Sequence, residues 1–147
     1  MLDLICQPFD RLTVRQLHDL LELRCQVFIV EQNCAYDDID GHDPESVHLL
    51  AYDGETLEGC CRWYPRDPQV VFGRIVTSQR TRGQGLGSYL MAEALDRIGP
   101  TEIFLSAQAH LEPFYRRFGF IPQGEPYDDV GILHVHMVRV APLPTPE

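Results

Sequence analysis

The sequence predicts a mixed α/β (α+β) layer fold, in which helices cover both faces of a mixed sheet. Two observations carry this prediction: three consecutive strand-like segments joined by turn residues, and an alternation of strand and helix after a glycine-rich turn. The length of 147 residues and the 44% of hydrophobic residues are typical of one globular domain. We therefore expect a single domain over residues 1–141, followed by a frayed proline-rich tail over 142–147.

A first amphipathic helix is predicted to begin after Thr13. Thr13 and Gln16 have the spacing of a capping box, and apolar residues up to Phe28 recur at helical spacing. Residues 31–46 then combine many acids with glycine and proline, a composition that cannot maintain one apolar face. This segment is predicted to be an acidic loop.

Three segments in the middle of the chain have the composition of half-buried strands. They cover residues 48–52, 57–64 and 70–77, and Asp-Gly and Asp-Pro turn residues separate them. Short turns between consecutive strands favour antiparallel pairing. The three segments therefore predict an antiparallel meander.

The second half of the chain alternates between helix and strand. Apolar residues from Leu86 follow one helical face until Gly99, which is typical of a helix C-cap. A short apolar strand is predicted at 103–105, a helix opened by a first-turn proline at 113–118, and a last strand at 132–140.

Composition and charge exclude several classes of function. The net charge of -10 disfavours binding to nucleic acid or to an anionic membrane and favours a cationic partner. No apolar run approaches the ~20 residues of a membrane span, and the first residues lack the pattern of a signal peptide. Five cysteines without a ligand-like CxxC pair are read as reduced thiols, so we expect a cytoplasmic protein.

The glycine-rich turn between the third strand and the second helix is the first candidate binding site. It reads Arg82-Gly83-Gln84-Gly85-Leu86-Gly87. A turn of this kind presents unpaired backbone N–H groups at the positive end of a helix dipole, where phosphate oxygens bind well. Glycines let a ligand approach the backbone, and Arg82 adds a cation suited to phosphate. The alternative is a tight turn that binds no ligand.

The spacing of this turn is similar to Q/R-x-x-G-x-G/A, the pyrophosphate-binding motif of GNAT acyltransferases. Two more segments strengthen the resemblance. Residues 73–78 precede the turn as the splayed central strand does in that superfamily, and residues 114–120 look like its FYxxxGF segment. The three segments follow one another in the order that the superfamily has.

Four further segments resemble the ElaA-like branch of the GNAT superfamily. They are residues 30–36, 40–43, 106–111 and 131–134, so that the similarity covers nearly the whole chain. The acceptor of this branch is poorly defined. The resemblance therefore implies a reaction class and leaves the substrate open.

The resemblance implies a mostly antiparallel sheet that is splayed at an acyl-CoA site, with acetyl-CoA as co-substrate and no metal. The acetyl group would pass by direct attack to a primary amine of a small molecule or a peptide. The implied coenzyme A ligands are three strand residues beside pantetheine and seven loop residues around the pyrophosphate: Ile75, Val76 and Thr77, and Arg82, Gly83, Gln84, Gly85, Leu86, Gly87 and Ser88.

Tyr115 is the candidate general acid. Members of the superfamily place a tyrosine of this segment beside the cofactor sulfur. A phenol with an ordinary pKa near 10 is protonated at neutral pH and can donate to the leaving thiolate. The alternative is a core aromatic residue packed between Phe114 and Phe118.

The candidates for binding the acceptor are Glu31, Cys34, Tyr36, His48 and His134. Glu31, at the predicted end of the first helix, is also a candidate catalytic residue that binds an ammonium group or relays its proton through water. Cys34 is either an inert thiol or a nucleophile activated by a neighbouring imidazole, and direct transfer is preferred.

Two further features each allow a structural and a functional interpretation. His134 and His136 have a possible metal-ligand spacing on one strand face, but no third ligand accompanies them, so no metal is predicted. The acids of the loop, with Asp128 and Asp129, are either solvated charges or a field that attracts a cationic amine.

Two other functions remain open at this point. One is a binding module that senses acyl-CoA without turnover. The other is an acyl-homoserine-lactone synthase-like enzyme, because the Arg-x-x-Val-Phe pattern from Arg24 to Phe28 is similar to the N-terminal half of those enzymes. The glycine loop favours the acyltransferase. A homodimer is compatible with the sequence.

Overall fold

The computed structural model describes residues 2–35 and 37–141, which build one seven-stranded sheet in the order β1-β2-β3-β4-β5-β7-β6. The strands are β1 Asp3–Pro8, β2 Val47–Asp53, β3 Thr56–Arg66, β4 Gln69–Thr77, β5 Ile103–Gln108, β6 Ile121–Asp129 and β7 Ile132–Arg139. The α-helices are α1 Val14–Arg24, α2 Leu86–Ile98 and α3 Glu112–Arg116.

All neighbouring strands except one pair are antiparallel, and the predicted meander is β2, β3 and β4. Consecutive residues of β2 enter different cores: Leu49 belongs to the core that contains α2 residues, and Leu50 to the core that contains Leu20 of α1. Because successive side chains of a strand point to opposite faces, α1 and α2 lie on opposite faces of the sheet. The predicted mixed fold with helices on both faces is confirmed.

The first helix begins as its capping box predicts. The Thr13 side chain accepts a hydrogen bond from Gln16 N, and the Gln16 side chain accepts one from Thr13 N. The α-helix ends at Arg24, and the chain continues as a π-helical segment, Cys25–Glu31. Segments of π-helix are often found at functional sites.

The parallel pair β4–β5 is the exception in the sheet. Its register contains only Val70 beside Ile103 and Val71 beside Phe104. Beyond these two pairs the strands separate, so the sheet is splayed between them. A β-bulge accompanies the separation, because Cys60 pairs with Val76 and Arg62 with Gly73.

The sequence-based prediction missed β1 and β6. Both are edge strands, and β6 contains two prolines and a glycine. The third helix ends at Arg116, earlier than predicted, and Gly119 follows at a positive φ of 91°. No helix of the described residues is long and apolar enough to cross a membrane. The predicted tail, 142–147, lies outside the described residues.

Candidate active site

A cavity of about 640 Å³ opens where β4 and β5 separate. Its walls come from the π-helical segment, β3, β4, β5, α3 and the β6–β7 turn. The predicted pantetheine ligands Ile75, Val76 and Thr77 line it. Beyond Val71 the edge of β4 that faces β5 has no strand partner, so its backbone groups are available to a ligand that carries amides.

The glycine loop lies at the end of β4 and opens α2. Gly83 and Gly85 have φ values of 78° and 81°, which favour glycine, and the space where their Cβ atoms would lie is open. The first helical hydrogen bond runs from Tyr89 N to Gly85 O. The backbone N–H groups of the first helical turn therefore have no partner within the helix, as an anion site requires.

The side chains of the other loop residues make contacts within the protein. The Leu86 side chain is buried in the core, so only its backbone can serve a ligand. Gln84 Nε2 donates to Arg80 O, and a Cβ at position 87 would lie 3.9 Å from the Phe114 ring. Ser88 Oγ accepts a hydrogen bond of 2.8 Å from Arg117 Nη2. The sequence analysis missed Arg117, which adds a second cation at the start of α2.

Arg82 and Glu31 form a two-pronged ion pair across the cavity. Arg82 Nη2 also donates to Thr77 O at 3.2 Å. The hydrogen bond from Arg82 lowers the pKa of Glu31, so the carboxylate accepts a proton poorly while the pair persists. The structure therefore joins a predicted phosphate ligand and a predicted acceptor ligand in one contact.

Tyr115 lies on α3 and lines the cavity. Its residue surface is 7% exposed, and its ring packs edge-on against Phe114 and Phe120. Burial raises the pKa of the Tyr115 phenol above its usual value. The phenol thus keeps its proton at any working pH, and it is both a core aromatic and a cavity residue.

The predicted acceptor residues separate into two groups. Cys34 and His134 line the cavity, where Cys34 Sγ donates to Val130 O at 3.5 Å and His134 Nδ1 contacts Ile132 O at 2.8 Å. His48, which was predicted to bind the acceptor, does not line the cavity. It is 2% exposed, and its Nε2 lies 3.1 Å from Asp43 O. Tyr36 lies outside the described residues.

The acidic loop is held by buried arginines. Arg24 is 1% exposed and binds Asp38 Oδ2 at 2.9 Å and Asp43 Oδ1 at 2.7 Å. Burial alone would raise the pKa of Asp43, but hydrogen bonds from Arg24 and Arg62 outweigh it and lower that pKa. The prediction that these two acids are either solvated or attract a cation is therefore wrong.

Two arginines of the sheet extend this ion-pair network to the cavity. Arg62 Nη2 binds Asp40 Oδ2 at 2.6 Å, and Arg74 Nη2 binds the same oxygen at 3.1 Å. Arg74 belongs to the β4 bulge and has a positive φ of 52°. The network thus fixes the loop to the bulge that shapes the cavity wall.

The described residues contain no group of three or more His, Cys, Asp or Glu side chains that could hold a metal ion. His134 and His136 do share a strand face, since both rings lie against Tyr127 with centroids 5.9 and 4.6 Å away. Each ring thus has an aromatic partner.

The splayed strands, the glycine loop and the cavity point to a known family. The sequence matches the family model of the acetyltransferase (GNAT) domain over residues 16–141. The chain belongs to the GNAT acetyltransferase family. It is 42% identical over 139 residues to the protein ElaA of Escherichia coli strain K12, a match that covers 88% of this chain and 91% of that protein.

Solved GNAT structures agree with this assignment. An acyl-CoA N-acyltransferase from Pseudomonas aeruginosa superposes with a TM-score of 0.91 at 41% identity, covering 95% of this chain and all of that chain (100%). Escherichia coli ElaA superposes with a TM-score of 0.89 at 39% identity, covering 95% and 99%. The resemblance to the ElaA-like branch is confirmed.

The acyl-homoserine-lactone synthase alternative shares the fold alone. BjaI, a CoA-dependent enzyme of that class, superposes with a TM-score of 0.73 at 19% identity and covers 94% of this chain and 82% of its own. GNAT acyltransferases use acyl-CoA and act on amine acceptors.

Replacing Glu31 by Gln should strengthen acetyl-CoA binding by up to about fivefold, because exposed ion pairs are worth at most about 1 kcal/mol. The Glu31 carboxylate occupies the Arg82 guanidinium, so phosphate oxygens that bind Arg82 would have to compete with it. Titration calorimetry on Glu31→Gln, with Asp37→Asn as a control for net charge, measures the effect. Unchanged or weaker binding in Glu31→Gln would show that the pair does not compete with the ligand.

Proposed function

We propose that the protein transfers an acetyl group from acetyl-CoA to a primary amine of a small molecule or a peptide. The observation that carries the proposal is the position of the glycine loop at the open end of the splay between β4 and β5. A ligand with phosphate at one end and amides along its arm fits this arrangement. Its reactive end would then lie inside the cavity.

In this proposal, the first-turn amides of α2 and the guanidinium groups of Arg82 and Arg117 bind the pyrophosphate. The backbone edge of 75–77 that faces away from β3 holds the pantetheine amides. Phosphate binding releases Glu31 from Arg82, and the free carboxylate then binds the ammonium group of the acceptor. Loading with acetyl-CoA would thus precede capture of the amine.

The chemistry follows from two oriented reactants. The amine nitrogen forms a bond to the thioester carbonyl carbon, the carbon–sulfur bond breaks, and the thiolate receives a proton from Tyr115. The ammonium group loses one proton to solvent before it attacks. The attacking nitrogen, cationic in the tetrahedral adduct, loses a second proton as it becomes the amide, and the tyrosinate recovers a proton from it by way of solvent. Holding two reactants in contact can lower the activation free energy by up to ~7–11 kcal/mol.

Direct transfer is preferred to a Cys34 adduct. The Cys34 thiol is buried and donates its hydrogen bond to the Val130 carbonyl group. A thiol becomes a nucleophile when a nearby base or cation lowers its pKa. His48, one of the two imidazoles considered as that base, faces Asp43 instead.

The proposed compartment is a reducing cytoplasm, because all five cysteines are free thiols. The homodimer stays a prediction. A binding module that senses acyl-CoA without turnover is the competing function, because the same glycine loop and cavity would bind acyl-CoA in such a module.

A mass-spectrometric screen distinguishes the enzyme from the binding module. The protein is incubated with acetyl-CoA and a panel of polyamines, amino acids, aminoglycosides and peptides. We expect at least one product that is heavier by an acetyl group and is absent without protein. Tight acetyl-CoA binding without any product from the panel would favour the sensing module.

Replacing Tyr115 by Phe should lower kcat by roughly 10²–10⁴-fold, because general acid catalysis contributes that much. The ring and its packing are kept, so acetyl-CoA affinity and thermal stability should stay near those of the parent. Because its pKa is raised, Tyr115 should cause no loss of activity as the pH rises to 9. Tyr89→Phe, on the exposed side of α2, is the matched control.

The role of Tyr115 is refuted if Tyr115→Phe turns over within a few-fold of the parent between pH 6 and 9 while chemistry limits the rate. A water molecule or the amine's own proton would then serve the leaving thiolate.

A further inference from the structure

Four arginines line the cavity, and one of them, Arg66, differs from the others in its ion pairing. Arg62 and Arg74 are paired with carboxylates of the acidic loop, and Arg82 is paired with Glu31. Arg66 has no ion-pair partner among the described residues. The cavity therefore offers one guanidinium whose charge no carboxylate of the described chain compensates.

The side chain of Arg66 is nevertheless held in place. Its guanidinium carbon lies 4.6 Å from the centroid of the Phe104 ring, a cation–π contact. Its Nη2 lies 3.4 Å from Oε1 of Gln69. Gln69 is itself fixed, because its Nε2 donates to Glu102 Oε2 at 2.6 Å.

This chain of contacts also explains why Glu102 does not neutralise Arg66. The Glu102 carboxylate accepts from the Gln69 amide, and the amide oxygen faces Arg66. The guanidinium is thus oriented by a neutral group. Since a guanidinium has five donors in a flat fork, stacking on Phe104 and one contact with Gln69 leave donors for a two-pronged partner.

Arg66 stands at the closed end of the splay. Phe104, on which it stacks, is paired with Val71, where β4 and β5 still touch. The glycine loop stands at the opposite, open end of β4. The proposed pantetheine segment, 75–77, begins four residues after Val71, which is roughly 13 Å at the rise of a strand.

A ligand that enters with its phosphates at the loop therefore directs its thioester toward Arg66. Tyr64, Phe104 and the β4 bulge line the cavity, and Phe104 lies at the closed end of its space. An amine that attacks the thioester from this space would carry the rest of its structure near Arg66.

We propose that Arg66 binds a carboxylate of the acceptor, so that the substrate class is an amine that also carries a carboxylate group, as amino acids do. This proposal rests on the proposed acetyl transfer and narrows its substrate. A guanidinium matches a carboxylate with two parallel hydrogen bonds, which gives orientation as well as affinity.

The test compares acceptors in pairs that differ by one carboxylate. Each pair contains an amino acid and its decarboxylated amine, and an added pair of ω-aminohexanoate and hexylamine keeps the basicity of the amine nearly constant. Initial rates with acetyl-CoA give kcat/KM for both members with the parent, Arg66→Met and Arg97→Met. The latter removes an arginine that is paired with Glu93 on α2, outside the cavity.

We expect the parent to prefer the carboxylate-bearing member, and Arg66→Met to lower that preference by roughly 5- to 30-fold, since charge-assisted hydrogen bonds of this kind contribute one to two kcal/mol. Arg97→Met should leave the preference unchanged. Comparing the preference between variants cancels the difference in amine basicity within a pair. Calorimetry should give the same acetyl-CoA affinity for all three proteins.

Several outcomes overturn the proposal in distinguishable ways. Acetylation of amines and amino acids with equal efficiency, or a preference that survives Arg66→Met, refutes the role of Arg66 while acetyl transfer stands. Acetylation of a polyamine, aminoglycoside or peptide without acetylation of any carboxylate-bearing member of a pair also refutes this inference alone. Binding of acetyl-CoA without acetylation of any acceptor, in the pairs or in the wider panel, refutes the proposed function and this inference together.

Discussion

The two-residue contact between β4 and β5 is the constraint on which the rest of the site depends. Because the parallel pairing stops after Val71 and Phe104, the edge of β4 beyond it has no strand partner. The separation creates the cavity, leaves backbone groups available along 75–77 and ends at the glycine loop. If β4 and β5 were paired along their whole length, their hydrogen bonds would satisfy those backbone groups and close the space for an acyl-CoA arm.

Ion pairs set the charge of this cavity more than the net charge of the chain does. Although the chain carries -10, three acids of its acidic loop, Asp38, Asp40 and Asp43, are paired with Arg24, Arg62 and Arg74. The remaining pair, Glu31 with Arg82, links the proposed phosphate and amine subsites. Such pairs are expensive to bury but fix geometry well when every partner is satisfied. These three acids therefore form a structural wall rather than an electrostatic funnel.

Local patterns predicted much of the fold, and contacts between distant residues account for what was missed. Thr13 and Gly99 mark helix ends by local chemistry, and the glycine loop has a spacing that is informative alone. The β6 strand was missed because its prolines and glycine are tolerated only at a sheet edge. The pairing of Glu31 with Arg82, 51 residues apart, and the burial of His48 depend on how elements pack, which no local pattern encodes.

Amide hydrogen exchange with and without acetyl-CoA tests the central claim most directly. If the splay and the loop form the cofactor site, saturating acetyl-CoA should slow exchange in two separate segments, 75–77 and 83–88. The amides of α1, on the other face of the sheet, should exchange as before. Binding that is measurable by calorimetry but leaves exchange in both segments unchanged would contradict the account.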